Sequence, residues 1–197
     1  MHRERVVKIS LGPDITYFDG EAYELVLNSP AYVRSEPELA AKFREFINKD
    51  KYFYVGKHAR FLGSRDEDYG YKIFNGAGWG PTREGPSTTD PKMMRGEVEK
   101  IFDIHKLLSE AGYAPKPYEI IECYDGDRLY FAIKMDNIKG HHIRPRAAWI
   151  NNLAYFCQKN NLSRAVQNIG QECNIKNCIK TDDGKIYMVD IDPRWVQ

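Results

Sequence analysis

Lys72, Glu97, Glu172, Asn177, Asp190 and Asp192 are the side chains of this 197-residue sequence whose types and order suit one demanding kind of chemistry. Moving a phosphoryl group from ATP needs a cation on the phosphates and an anion that orients that cation. It also needs carboxylate and amide oxygens for magnesium, and a group beside the incoming hydroxyl. Lys72 lies in a strand-like stretch, YGYKIF, and Glu97 in the helix-like stretch that follows it. A connector reading MDNIKG comes next, then Glu172, Asn177 and Asp190. Five positions separate Glu172 from Asn177, and thirteen separate Asn177 from Asp190. Helical phase puts Glu97 on the face shared by Ile101, Ile104 and Leu108, whereas Glu99 points nearly opposite.

These residues need a frame, and the hydrophobic periodicity supplies one. Residues 1 to 34 alternate short apolar stretches with Gly and Pro, the pattern of a few strands or an irregular cap. Ser35 followed by Glu38 is a capping-box signature, and Leu39, Phe43 and Ile47 then recur at helical spacing, predicting a helix over 36–49. From Lys51 the period drops to two: KYFYVGKHARFLGS and YGYKIF read as a small antiparallel sheet. Residues 75 to 91 hold four glycines and three prolines and read as a long loop carrying Trp79. Met94, Val98, Ile101, Ile104, His105 and Leu108 form one helical stripe that Gly112 should stop. YEIIECY and RLYFAIKM flank Asp125-Gly126-Asp127, a hairpin signal. A helix over roughly 146–159 and a hairpin turning at Asp183-Gly184 complete the chain.

The order sheet, helix, hairpin, connector, helix, polar loop, hairpin, Asp-x-Asp resembles the protein kinase-like superfamily, including its small atypical members. The resemblance covers residues 51 to 195. Its most specific part is QECNIKNCIKTDDGKIYMVDID, which is similar to the family's catalytic loop, hairpin and magnesium motif. The resemblance implies a two-lobed α+β fold: an N-terminal extension over 1–50, an N-lobe of antiparallel sheet plus helix over 51–135, and a hinge with a reduced helical C-lobe over 136–197. It implies ATP and Mg2+ as cofactors, with Asn177, Asp190 and Asp192 as metal ligands. Lys72 would hold the phosphates and pair with Glu97. Backbone groups of Met135, Asp136, Asn137 and Ile138 would meet the adenine, and Gly56 and Gly63 would flank a phosphate-covering turn. Glu172 stands where the family has its catalytic aspartate, and Asp190-Ile191-Asp192 stands in place of Asp-Phe-Gly. With seven residues after Asp190, no activation segment is expected. Substrate choice then falls to residues 1–50, the 75–91 loop or a partner.

The function implied is phosphotransfer to serine or threonine of a protein. The alternative is a pseudokinase-like module that binds nucleotide without transfer. Lysine plus arginine (29) nearly cancels aspartate plus glutamate (28), so no global field draws nucleic acid or an anionic membrane. No apolar run has the length of a membrane span, and MHRERVVKIS has no apolar segment behind its charges; a cytosol, of the producing cell or of a host, is the expected compartment. Cys123, Cys157, Cys173 and Cys178 form no C-x-x-C pair and read as reduced thiols. Plainer roles compete throughout. Lys72 can be a surface charge, Asn177 and the aspartates turn formers, and the basic run HHIRPR a solvated approach to a helix.

Overall fold

The computed structural model describes residues 8–10, 15–17, 31–33, 37–49, 59–74, 91–125, 128–162, 169 and 173–191. Ten strands and three helices lie among them: β1 Lys8–Ser10, β2 Ile15–Tyr17, β3 Ala31–Val33, α1 Pro37–Lys49, β4 Ala59–Leu62, β5 Tyr69–Phe74, α2 Pro91–Glu110, β6 Pro117–Asp125, β7 Arg128–Asp136, β8 His141–His142, α3 Ala147–Lys159, β9 Cys178–Lys180 and β10 Ile186–Met188. β1 and β2 pair antiparallel. The architecture is mixed α+β. No helix among the described residues is long and apolar enough to cross a membrane.

The main sheet runs β3-β6-β7-β5-β4. Its pairings are antiparallel except β3 with β6, which is parallel. β6 and β7 carry apolar residues at consecutive positions, Ile120-Ile121 and Tyr130 to Ile133, because both faces of the sheet are covered. Ile121, Tyr130, Ala132 and Ile73 face α1, whose Leu39, Ala40, Phe43 and Ile47 fall on one stripe. Ile120, Phe131, Ile133 and Met135 face the other way, against Val98, Ile101 and Phe102 of α2. The segment expected as an extension is therefore joined to the sheet, with β3 as its edge strand and α1 as one cover.

α2 is longer than the sheet needs. Its second half, with Ile104 and Leu108, enters another core made with Leu153 and Cys157 of α3 and with Cys173, Cys178, Met188 and Ile191. β8, β9 and β10 form a three-stranded antiparallel sheet beside that core. Gly112 (φ 77°) ends α2, and Gly184 (φ 88°) turns the β9–β10 hairpin; both angles lie in the region that favours glycine. All four cysteines are buried free thiols, and burial pushes Cys157 up to about 12. The 126–127 tip of the β6–β7 hairpin and the glycine-rich segment over 75–90 lie outside the described residues.

Phe43 is fully buried at the α1–sheet contact and meets Tyr71 edge-on at 5.4 Å. Truncating such a ring removes its transfer energy and leaves a cavity. Phe43→Ala is expected to cost about 3–5 kcal/mol in denaturant unfolding, whereas Lys49→Ala, exposed on the same helix, is expected to cost only a few tenths of a kcal/mol.

Candidate functional site

β5 alternates in and out: Tyr71 and Ile73 belong to the α1 side, and Phe74 to the α2 side. Lys72 shares the side of Phe74, so its ammonium is driven into the apolar space between sheet and α2, at 4% exposure. A buried ammonium is stable only with partners. Here the Lys72 Nζ lies 3.1 Å from the Asp190 Oδ1 and donates to the Ile191 carbonyl at 2.8 Å. Those partners are 118 and 119 residues away in sequence.

The chain after β10 is fixed at several points so that Asp190 meets this lysine. The Met188 N–H donates to the Tyr113 carbonyl just beyond α2 (2.7 Å), and the Val189 N–H donates to the Asn177 carbonyl (2.8 Å). Met188 and Ile191 are both fully buried. Asp190 is thus held between two apolar anchors while its own side chain remains 56% exposed. Asn177 is nearly buried at the end of a turn in which its N–H donates to the Asn174 carbonyl (3.1 Å). Lys72, Asp190 and the Asn177 backbone therefore converge.

Glu97 does not join them. Its Oε1 takes Lys100 at 3.0 Å on its own helix, and its Oε2 is buried without a hydrogen-bond partner. The Lys72–Glu97 ion pair expected from helical phase is not formed here, because the Asp190 carboxylate and the Ile191 carbonyl already take the ammonium. The connector also differs from the expectation. The Asp136 N–H donates to the Lys116 carbonyl (2.9 Å), and the Asn137 N–H to the Asp68 carbonyl (2.8 Å). The Asn137 Nδ2 reaches the Ser64 and Glu67 carbonyls at 2.6 and 3.0 Å, and the Asp136 carboxylate accepts from Tyr118 and from the Lys116 N–H. These two N–H groups stitch the β4–β5 turn and the start of β6 to the connector, so an adenine contact there would have to use other groups. Met135 is buried in the sheet, and Ile138 is half-buried. Gly63 has a steric reason: a Cβ there would sit 2.8 Å from the Phe61 ring and 3.0 Å from the Asn137 amide. Gly56, Glu172 and Asp192 lie outside the described residues.

Two buried ionisable side chains were not singled out for chemistry by the sequence reading. Glu122, on the α2 side of β6, is 1% exposed and pairs with Arg95 near the start of α2. Burial raises its pKa, and the Arg95 contact pulls the other way. A charged residue between Ile121 and Cys123 in a doubly covered strand was the available signal. His105, in the apolar stripe of α2, is fully buried, and neither ring nitrogen has a hydrogen-bond partner. Burial pushes its pKa well below the usual histidine value, and the nearby Lys72 charge adds to this; Pro115 backbone works in the opposite direction without hydrogen-bond geometry. No group of three or more His, Cys, Asp or Glu side chains able to hold a metal occurs among the described residues.

His105 gives a pH signature. Its folded pKa is depressed, so the unfolded chain takes up a proton first as pH falls below the ordinary value near 6.5. The stability held with neutral His105 is therefore present above about pH 6.5 and is lost as pH falls toward the folded pKa. Unfolding free energy should drop below about pH 6.5 by up to about 1.4 kcal/mol per pH unit from this residue, and His105→Met should flatten that slope.

No protein-family model, curated protein or solved structure matches this chain, so the comparisons with known proteins identify no family, the kinase-like superfamily included.

Proposed function

We propose that this chain is an ATP- and magnesium-dependent phosphotransferase with a two-lobed kinase-like architecture, acting on serine or threonine of a protein. The observation that carries the reading is the junction of Lys72 with Asp190, two residues chosen for phosphate and metal chemistry and separated by most of the chain. The insertion of α2 between β5 and β6, and the backbone bond from Asn177 to Val189, agree with it.

The donor set fits a hard cation, which wants oxygen ligands and commonly takes one or two carboxylates with the rest from water and phosphate. Asp190 supplies an exposed carboxylate oxygen and Asn177 an amide oxygen; Asp192 and Glu172 would extend the set. Bound MgATP would bring the transferable phosphoryl group with its charge partly neutralised. The chain's own contribution is positional and electrostatic. Lys72 holds a fixed positive charge in a low-dielectric wall, where it acts on a phosphate oxygen more strongly than it would in water. Asp190 sits between the anchors Met188 and Ile191, which limits how far its carboxylate can stray. The ATP and magnesium of a cytosol, of the producing cell or of a host, are what this reading requires.

A second reading has its own observation. Glu97 is turned to Lys100 while Lys72 is held by Asp190, so the cation and the candidate metal ligand engage one another. A nucleotide-binding module without transfer is consistent with that arrangement.

A thermal-shift titration separates these readings. A ligand present at 100 times its Kd adds about 2.7 kcal/mol to the folded state, which for a chain of this size is several degrees in Tm. We expect a magnesium-dependent rise with ATP, lost in Asp190→Ala and reduced in Asn177→Ala, with labelled phosphate appearing on a protein acceptor. The same rise with no labelled product selects the binding module. No rise in wild type overturns both.

A further inference from the structure

The segment between the connector and α3 gathers positive charge that the site does not use. His141 and His142 form β8, and Arg144 and Arg146 follow it. Ile143 packs against the C-terminal core and Pro145 is buried, whereas His142, Arg144 and Arg146 are exposed. Extended backbone sends alternate side chains to opposite sides, and Arg146 itself is extended (φ −71°, ψ 154°). The three exposed groups thus share one outward side, spaced by about 7 Å. The β8–β9 pairing sets His141 opposite the half-buried Lys180, and alternation puts that pair on the other side of the strand from His142.

Among the described residues this strip has no counter-ions. Neither Asp nor Glu occurs over the 35 residues from Asn137 to Gln171. Among the described residues, His141, His142, Arg144, Arg146 and Lys180 have neither a carboxylate nor a side-chain hydrogen-bond partner. Several cations elsewhere are paired: Lys49 meets Glu45, Arg95 meets Glu122, Lys134 meets Glu119 and Lys185 meets Asp183. In a chain whose formal net charge is +1, one stretch has been left without acids. The strip also runs beside the candidate site: the Ile143 N–H donates to the Cys178 carbonyl (3.0 Å), and Cys178 follows Asn177 directly.

We propose that His142, Arg144 and Arg146 dock an acidic segment of a protein, its carboxylates lying along the strip. Calling that protein the phosphoryl acceptor rests on the function proposed above; the docking itself rests on the strip. Carboxylates on alternate residues of an extended peptide repeat at about the same 7 Å. Nucleic acid is the poorer match. The molecule as a whole has no field to draw a polyanion, and Trp149, the nearest aromatic along this segment, is turned against Tyr113 instead of being offered to bases.

The test is fluorescence anisotropy with three labelled probes: a peptide of one serine followed by four glutamates, its lysine counterpart, and an oligouridine. We expect the acidic peptide to bind best, to weaken as salt rises, and to lose about tenfold or more in affinity when Arg144→Glu and Arg146→Glu are combined. Arg144→Gln with Arg146→Gln should fall between the two. Both side chains are exposed, so the unliganded melting temperature of each variant checks that folding is intact. Equal binding of the acidic and lysine peptides, no peptide binding, or a preference for oligouridine overturns the proposal. Acidic-peptide binding in a protein that gives no thermal shift with ATP keeps the docking strip and removes the phosphotransferase reading; an ATP shift without peptide binding does the reverse.

Discussion

A lysine ammonium inside the apolar space between a sheet and a helix is the constraint on which much of this molecule turns. Strand alternation leaves Lys72 no route to solvent, since Gly70, Lys72 and Phe74 share the side of the sheet that α2 covers. The charge must find an anion, and the nearest elements of the sheet offer none that it uses. The C-terminal segment brings one: Asp190, delivered by Met188 and Ile191 sinking into the second core. A local rule about where a strand residue points thereby becomes a long-range requirement that both ends of the described chain fold together.

α2 makes that possible because it serves two cores at once. Val98, Ile101 and Phe102 close the sheet, and Ile104 and Leu108 close the C-terminal cluster. Several ionisable groups are caught along this helix or against it. Arg95 meets Glu122 at its first turns, Glu97 keeps one buried oxygen without a partner, and His105 is sealed in neutral form near Lys72. Burying ionisable groups costs stability, and a sheet–helix interface without function would be more stable with hydrocarbon at these positions. Of these groups His105 is the one that feels the Lys72 charge, and burial is the larger cause of its depressed pKa.

Elements with strong periodicity were legible from sequence. The α1 stripe at Leu39, Phe43 and Ile47, the stop at Gly112 and the Asp183-Gly184 turn each follow from a local rule, and the described helices begin and end within a few residues of expectation. The parallel pairing of β3 with β6 was not legible, because three residues carry too little pattern to announce a partner 89 positions away. In the candidate site, the types and order of Lys72, Asn177 and Asp190 pointed to their neighbourhood. Which anion Lys72 takes was not readable: helical phase gives a direction for Glu97 but no distance, and Lys100 one turn along competes for it. That the N–H groups of Asp136 and Asn137 are taken within the chain was not readable for a related reason. Their acceptors, Lys116 and Asp68, come from loops whose path no periodicity records. Glu122 and His105 looked like ordinary members of a strand and a helix until burial set them apart.

The parallel edge strand reaches beyond the sheet itself. β3 covers the outer backbone of β6, and α1, which begins four positions after Val33, seals the face above it. A shortened protein beginning near residue 50 would therefore expose an unpaired strand edge and the apolar face carrying Ile73, Ile121 and Ala132 together. Such a surface invites strand addition from other copies. What looks in sequence like an appendage is thus the part that covers one edge and one face of the sheet.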